Sequence, residues 1–196
     1  MNILLLGPSR PPLEEFLSAS GDYVTRQEEA LTRDAPNLRN ADFLVSFGFR
    51  FIIREDILEK FQKRAINLHI SFLPWNRGAD PNLWSFLDDT PKGVSVHYLD
   101  KGIDTGDILC QKEIAFTREK TLRETYNRLC AEMEMLFQES WPLIRRGEMH
   151  AKAQLMKGTT HFKADRKTYE HLLTQGWDTA VSSLVGKSLP QKRTAR

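Results

Sequence analysis

Short apolar stretches separated by amphipathic ones set the rhythm of the first half of the chain. Residues 3–6, Ile-Leu-Leu-Leu, are continuously apolar and stop at Gly7. That is the pattern of a short strand buried on both faces, and it opens many α/β folds. Pro11 and Pro12 suit the first turn of a helix, and Gly21 suits its stop. Residues 23–26 read as a second short strand, 41–47 as a third closed by Gly48, and 65–69 as another. Between the last two, Ile57, Leu58 and Phe61 recur at helical spacing across 56–64. The β-α-β-α-β order predicts an α/β fold with a mostly parallel sheet covered by helices on both faces.

The second half continues differently. Residues 74–81 form a loop rich in Trp, Asn, Arg, Gly and Pro, and Leu83, Trp84 and Leu87 suggest a helix over 81–87. Residues 93–99 alternate as a strand, with 107–115 as a neighbour across a loop. Thr121-Leu-Arg-Glu124 is a capping box, in which hydroxyl and carboxylate satisfy the orphan amides of a helix start. Leu122, Tyr126, Leu129, Met133, Phe137 and Ile144 then mark a long amphipathic helix. Core packing accounts for that stripe, and a homodimer interface would account for it equally well.

The length of 196 residues suits one domain with a small appendage, and a hydrophobic content of 40% excludes a disordered or fibrous chain. The formal charge of +2 is unevenly spread. No acid follows Asp178, while Lys187, Lys192, Arg193 and Arg196 supply four bases, so the preceding body is slightly acidic. No broad basic surface for nucleic acid is legible. Cys110 and Cys130 do not make a zinc ribbon or a disulfide framework. No apolar run approaches a bilayer span, and the first residues lack the basic start of a signal peptide. The expectation is a cytoplasmic, reduced protein with no membrane partner.

Two segments carry candidate chemistry. In Asn67-Leu-His69-Ile-Ser71, alternation points Asn67, His69 and Ser71 to one face at a strand end, where ligand crevices form in open parallel sheets. An amide beside an imidazole can stabilise an oxyanion and move a proton, although a structural histidine with a satisfied hydrogen bond reads the same way. Asp100-Lys-Gly102-Ile-Asp104-Thr-Gly106-Asp107 implies a tight loop. One of its carboxylates could orient His69, or the segment could be a plain Asx-turn; calcium-hand spacing is absent.

Together the segments resemble the folate-dependent formyltransferases, which include glycinamide ribonucleotide transformylase, methionyl-tRNA formyltransferase and the sugar N-formyltransferases. The family's Asn-x-His, Pro-Ser-x-Leu-Pro, Arg-Gly and Ile-Asp-Thr-Gly signatures correspond to residues 67–79 and 102–108 here. Ile70 stands where the family usually has proline. Residues 157–166 are similar to the end of the short formylation domain of linear gramicidin synthetase and to small stand-alone relatives acting on amino sugars. The resemblance implies a Rossmann-like catalytic domain over 1–150, a C-terminal extension over 151–186 packed on it, and a basic tail over 187–196. It implies N10-formyltetrahydrofolate as co-substrate and no metal. Asn67 would bind the formyl oxygen, His69 would assist proton transfer, and Asp104 would hold His69 and help deprotonate the amine.

By the same resemblance the folate lies between Phe49, Phe51 and Ile53 on one side and Asp100, Gly102 and Ile103 on the other. Phe49, Phe51 and Ile53 read equally as core residues. Arg10, Ser71, Trp75, Asn76 and Arg77 are the candidates for the acceptor side, with a solvated arginine and a loop packed by Trp75 as the plain alternatives. The 161–166 segment either docks over the cleft or forms a terminal strand. The expected acceptor is a small amine, a nucleotide-linked amino sugar of the kind that feeds surface glycans. Methionyl-tRNA is the runner-up, because relatives acting on it carry a further C-terminal domain of about a hundred residues that this length does not hold. A formylase acting in trans on a peptide synthetase, and a non-catalytic folate- or nucleotide-binding module, are the remaining alternatives.

Overall fold

A computed structural model describes residues 1–188; the tail bases Lys192, Arg193 and Arg196 lie outside the described residues. The chain runs β1 (Asn2–Leu6), α1 (Pro11–Ala19), β2 (Tyr23–Gln27), α2 (Pro36–Arg39), β3 (Phe43–Ser46), α3 (Glu55–Leu58), β4 (Ala65–His69) and β5 (Arg77–Gly78). It continues through α4 (Pro81–Leu87), β6 (Gly93–Tyr98), β7 (Ile108–Glu113), α5 (Leu122–Arg146) and β8 (Thr160–His161). Six strands form one sheet in the order β2-β1-β3-β4-β6-β7. The pairs β2–β1, β1–β3 and β3–β4 are parallel, and β6 runs antiparallel to both neighbours. The expected Rossmann-like, mostly parallel sheet is therefore present, with β4 at the place where pairing changes sense.

Both faces of the sheet are covered, which is why β1 and β3 are apolar at nearly every position. Ile3, Leu5, Phe43, Val45, Ile66 and Leu68 pack against Leu13 and Leu17 of α1 and against Leu129, Met133, Phe137 and Trp141 of α5. On the opposite face Leu4, Leu6, Leu44 and Ala65 meet Leu38, Ile53, Ile57 and Phe61. The helix expected over 56–64 is shorter. After Leu58 the backbone tightens into a 3-10 turn over Glu59–Phe61, and Lys63 takes a left-handed φ of 56° that turns the chain into β4.

The capping box of α5 is formed as expected, with the Glu124 N–H donating to the Thr121 hydroxyl and the Glu124 carboxylate accepting from the Thr121 N–H. Its apolar stripe is buried except at Tyr126, whose ring is partly exposed and whose hydroxyl reaches Arg10 at 3.4 Å. Beyond α5 the chain returns to the sheet edge, where Lys152 and Ile108 exchange two backbone hydrogen bonds of 2.8 Å. It then pairs β8 with β5 in a small parallel ribbon. Finally Leu184 buries itself completely among Leu83, Trp84, Leu87 and Leu122, flanked by Tyr169, Leu172 and Val181. Among the described residues no helix is long and apolar enough to cross a membrane.

Candidate active site

The site forms at the C-terminal end of β4. Asn67 and His69 stand two positions apart and so share a face of the sheet. Across β4, Asn67 is in register with Ser46 of β3 and with His97 of β6. The loop that follows is pinned from inside the protein. Ser71 Oγ donates to the Trp75 carbonyl at 2.8 Å, and Ser95 Oγ donates to the Ser71 carbonyl at 2.8 Å. Asn76 donates from its side chain to Thr90 Oγ1 at 2.8 Å and from its backbone to Thr159 Oγ1 at 2.8 Å. Held this way, the Asn76 carbonyl faces His69 Nε2 at 3.0 Å. A carbonyl only accepts, so Nε2 carries a proton and Nδ1 is turned toward the acidic loop.

Asp104 arrives from the segment between β6 and β7 with a left-handed φ of 52°. Its Oδ1 accepts from Asn67 Nδ2 at 3.0 Å, and its Oδ2 accepts from the Gly78 N–H at 2.7 Å. His69 Nδ1 lies 3.6 Å from Oδ2, and His97 Nε2 lies 3.3 Å from Oδ1. Burial by itself would raise this carboxyl's pKa. The charge of His69, the hydrogen bond and charge of His97, and the Gly78 N–H outweigh burial and hold it well below the usual carboxylate range. Asp104 is thus a fixed negative charge with a histidine on each side. Asn67 spends one N–H on Asp104; its contact to His97 is long, at 3.4 Å, which leaves the second N–H weakly engaged.

Three of these features were not read from the sequence. His97 was seen only as one position of an alternating strand, and its facing of Asn67 depends on β6 lying beside β4. The Gly78 N–H depends on the β5–β8 ribbon, where a φ of 88° and the close approach of the His161 carbonyl leave no room for a Cβ. Gln154, from the segment after α5, holds Arg77 with its carbonyl oxygen at 2.7 and 3.0 Å.

The other candidates fall into two groups. Phe51 and Ile103 present partly exposed apolar surface, and Ile52, next to Phe51 in the chain, is 83% exposed. Phe49 packs edge-on to Phe51 at 5.5 Å, and Phe49 and Leu99 rest on the same core cluster. The two loops expected to flank a folate therefore rest on one core cluster, and their exposed apolar surface suits a flat aromatic ring. Trp75 is partly exposed beside a shallow cavity of about 580 Å³ that it shares with Trp84, His161 and Tyr169.

The second group is engaged within the protein. Ile53 is buried in the core, so only its backbone is left for a ligand. Asp100 accepts from the Gly102 N–H at 3.0 Å and from Thr105 Oγ1 at 2.8 Å, which makes this stretch an Asx-turn that shapes the loop. Ser71 and Asn76 are buried; the Ser71 side chain bonds within the loop to Trp75, and that of Asn76 reaches Thr90 beyond α4. Arg10 lies 4.1 Å over the Phe47 ring and pairs with Tyr126 and Glu134 of α5.

Comparison with known proteins agrees with this geometry. The Formyl transferase family profile matches residues 9–139. The methionyl-tRNA formyltransferase of Fusobacterium nucleatum is 30% identical over 161 residues, 80% of this chain and 52% of that protein; the chain spans about half the length, or less, of the curated relatives it matches. The formyltransferase PseJ from Anoxybacillus kamchatkensis, solved with UDP-4,6-dideoxy-4-formamido-L-AltNAc and tetrahydrofolate, is 52% identical. It superposes with a TM-score of 0.93 over 96% of this chain and 100% of that one. A 4-N formyltransferase from Francisella tularensis, 19% identical with a TM-score of 0.74 over 85% of this chain and 78% of that one, shares the fold. An Asn-x-His strand end facing a buried aspartate, on a sheet matched by these proteins, places the chain in the folate-dependent formyltransferase family.

Proposed function

We propose that the protein is an N-formyltransferase that moves the formyl group of N10-formyltetrahydrofolate to the primary amine of a nucleotide-linked amino sugar. The observation that carries the acceptor class is the 52% identity to PseJ, over the whole of that chain, in a complex holding a UDP-linked formamido sugar. The same reading makes residues 1–150 the catalytic domain and 151–186 its extension, working in the cytoplasm.

The folate donor supplies a formyl carbon already activated for transfer; the residues of this chain supply charge and proton management. Asn67 directs its weakly engaged N–H at the formyl oxygen as that oxygen takes up negative charge. His69 has one nitrogen committed to the Asn76 carbonyl, so Nδ1 is left to take the proton the amine releases and to pass it on to N10 as the bond between N10 and the formyl carbon breaks. Asp104, 3.6 Å away, stabilises the resulting imidazolium. Asp104 is held ionised by its neighbours, so it stands beside the transfer as a negative charge and helps draw the proton from the amine. Phe51 and Ile103 form the apolar walls for the pterin, and Trp75 stands at the acceptor side.

Purified protein given N10-formyltetrahydrofolate and a panel of UDP- and dTDP-linked amino sugars, with methionyl-tRNA alongside, tests this reading. A formyl mass increase on a UDP-linked 4-amino sugar is expected. Formylation of methionyl-tRNA alone would replace the acceptor assignment, and no transfer to any amine would remove the enzymatic one.

A further inference from the structure

We propose that Gln154 is a positioning residue that fixes Asp104 in its working geometry, on the reading that the protein is a formyltransferase. Gln154 lies outside the 9–139 family match, in a stretch without regular structure, yet its amide reaches the centre of the site. Nε2 donates to the Asp104 carbonyl at 2.9 Å and to the Gly106 carbonyl at 2.7 Å. Oε1 accepts from Arg77 Nε at 3.0 Å and Nη2 at 2.7 Å. Both N–H groups and both lone pairs are used, and the orientation of the amide is dictated by its partners, since carbonyls need donors and a guanidinium needs an acceptor.

The two sides that Gln154 joins are the two sides that hold the Asp104 carboxylate. On one side is the backbone of Asp104 itself, strained into the left-handed region at φ 52°. On the other is Arg77, whose neighbour Gly78 donates its N–H to Oδ2. A carboxylate set between Asn67 and two histidines depends on the register of these loops, and a displacement of about 1 Å at such a site is enough to lower a rate by about a hundredfold. Gln154 is itself placed by the backbone pair between Lys152 and Ile108, two residues away, so the rigid sheet edge is the reference for the clamp. Arg77 is used here as a partner of Gln154, which gives it a role other than acceptor binding.

The test is steady-state kinetics of Gln154→Met, Gln154→Glu and Arg77→Met with N10-formyltetrahydrofolate and whichever amine the wild type formylates, alongside thermal unfolding and tetrahydrofolate binding. Gln154→Met loses all four hydrogen bonds, and Gln154→Glu keeps the Arg77 pair but loses both N–H donors. Both are expected to lower kcat by about 10- to 100-fold, with tetrahydrofolate affinity and KM for the acceptor within about threefold of wild type. Arg77→Met should cost less than Gln154→Met, and the double variant no more than Gln154→Met alone. Wild-type kcat in a folded Gln154 variant would overturn the assignment. So would a loss confined to acceptor KM, or failure of all three variants to fold, which would make Gln154 a stability residue. A wild type that formylates no amine would instead refute the formyltransferase reading.

Discussion

At the scale of single residues, the site separates two jobs that similar polar groups could have shared. On the proposed mechanism Asn67 keeps a donor for charge that develops during transfer, while Asp104 is committed to two histidines and a backbone N–H. Asn67→Ala should therefore lower kcat by about 10²- to 10³-fold with donor affinity little changed, as steady-state rates beside tetrahydrofolate titrations would show. Asp104 has a folded pKa below its unfolded value, so its ionised form stabilises the fold above about pH 4, and that contribution fades as pH falls through the folded pKa. In urea titrations the stability difference between wild type and Asp104→Asn should drift in favour of the variant as pH falls below 4. A drift in favour of wild type below pH 4 would contradict this. The pairing of Asn67 and His69 was legible because a strand has a period of two. Their partnership with Asp104, 35 positions beyond His69, was legible only through the family signature. His97 was not, since nothing local says which strand lies beside β4.

At the scale of elements, the long ones were readable and the two-residue ones were not. Strands β1 and β3, helix α1 and the capped α5 follow from apolar period, prolines and the Thr121–Glu124 box. Strands β5 and β8 have two residues each, too few to show any periodicity, although they decide where the Gly78 N–H points. Gly78→Ala tests their importance. The added Cβ would run into the His161 carbonyl, and the positive φ is strained for alanine, so the ribbon must open. We expect a lower melting temperature together with a fall in kcat of tenfold or more. Retention of both would show that the Asp104–Gly78 bond is dispensable.

At the scale of the whole molecule, the segment after α5 works for the site as much as for the core. It sends Gln154 to Asp104, β8 to β5 and Leu184 into the cluster around α4. Leu184→Ala should cost about 2–5 kcal/mol in denaturant unfolding, because the side chain is fully buried among four others that cannot follow it. A cost under about 1 kcal/mol would mean that the extension is loosely attached. On the proposed function, Asn67, His69 and Asp104 carry formyl transfer from folate to a UDP-linked 4-amino sugar. Its most direct measurement is the initial rate of tetrahydrofolate release with the amine that corresponds to the formamide bound in PseJ, for wild type and for Asp104→Asn. One tetrahydrofolate per formamido sugar is expected from the wild type, and a rate lower by about 10²-fold or more from Asp104→Asn. No transfer to that amine, or an undiminished rate in the variant, would contradict it.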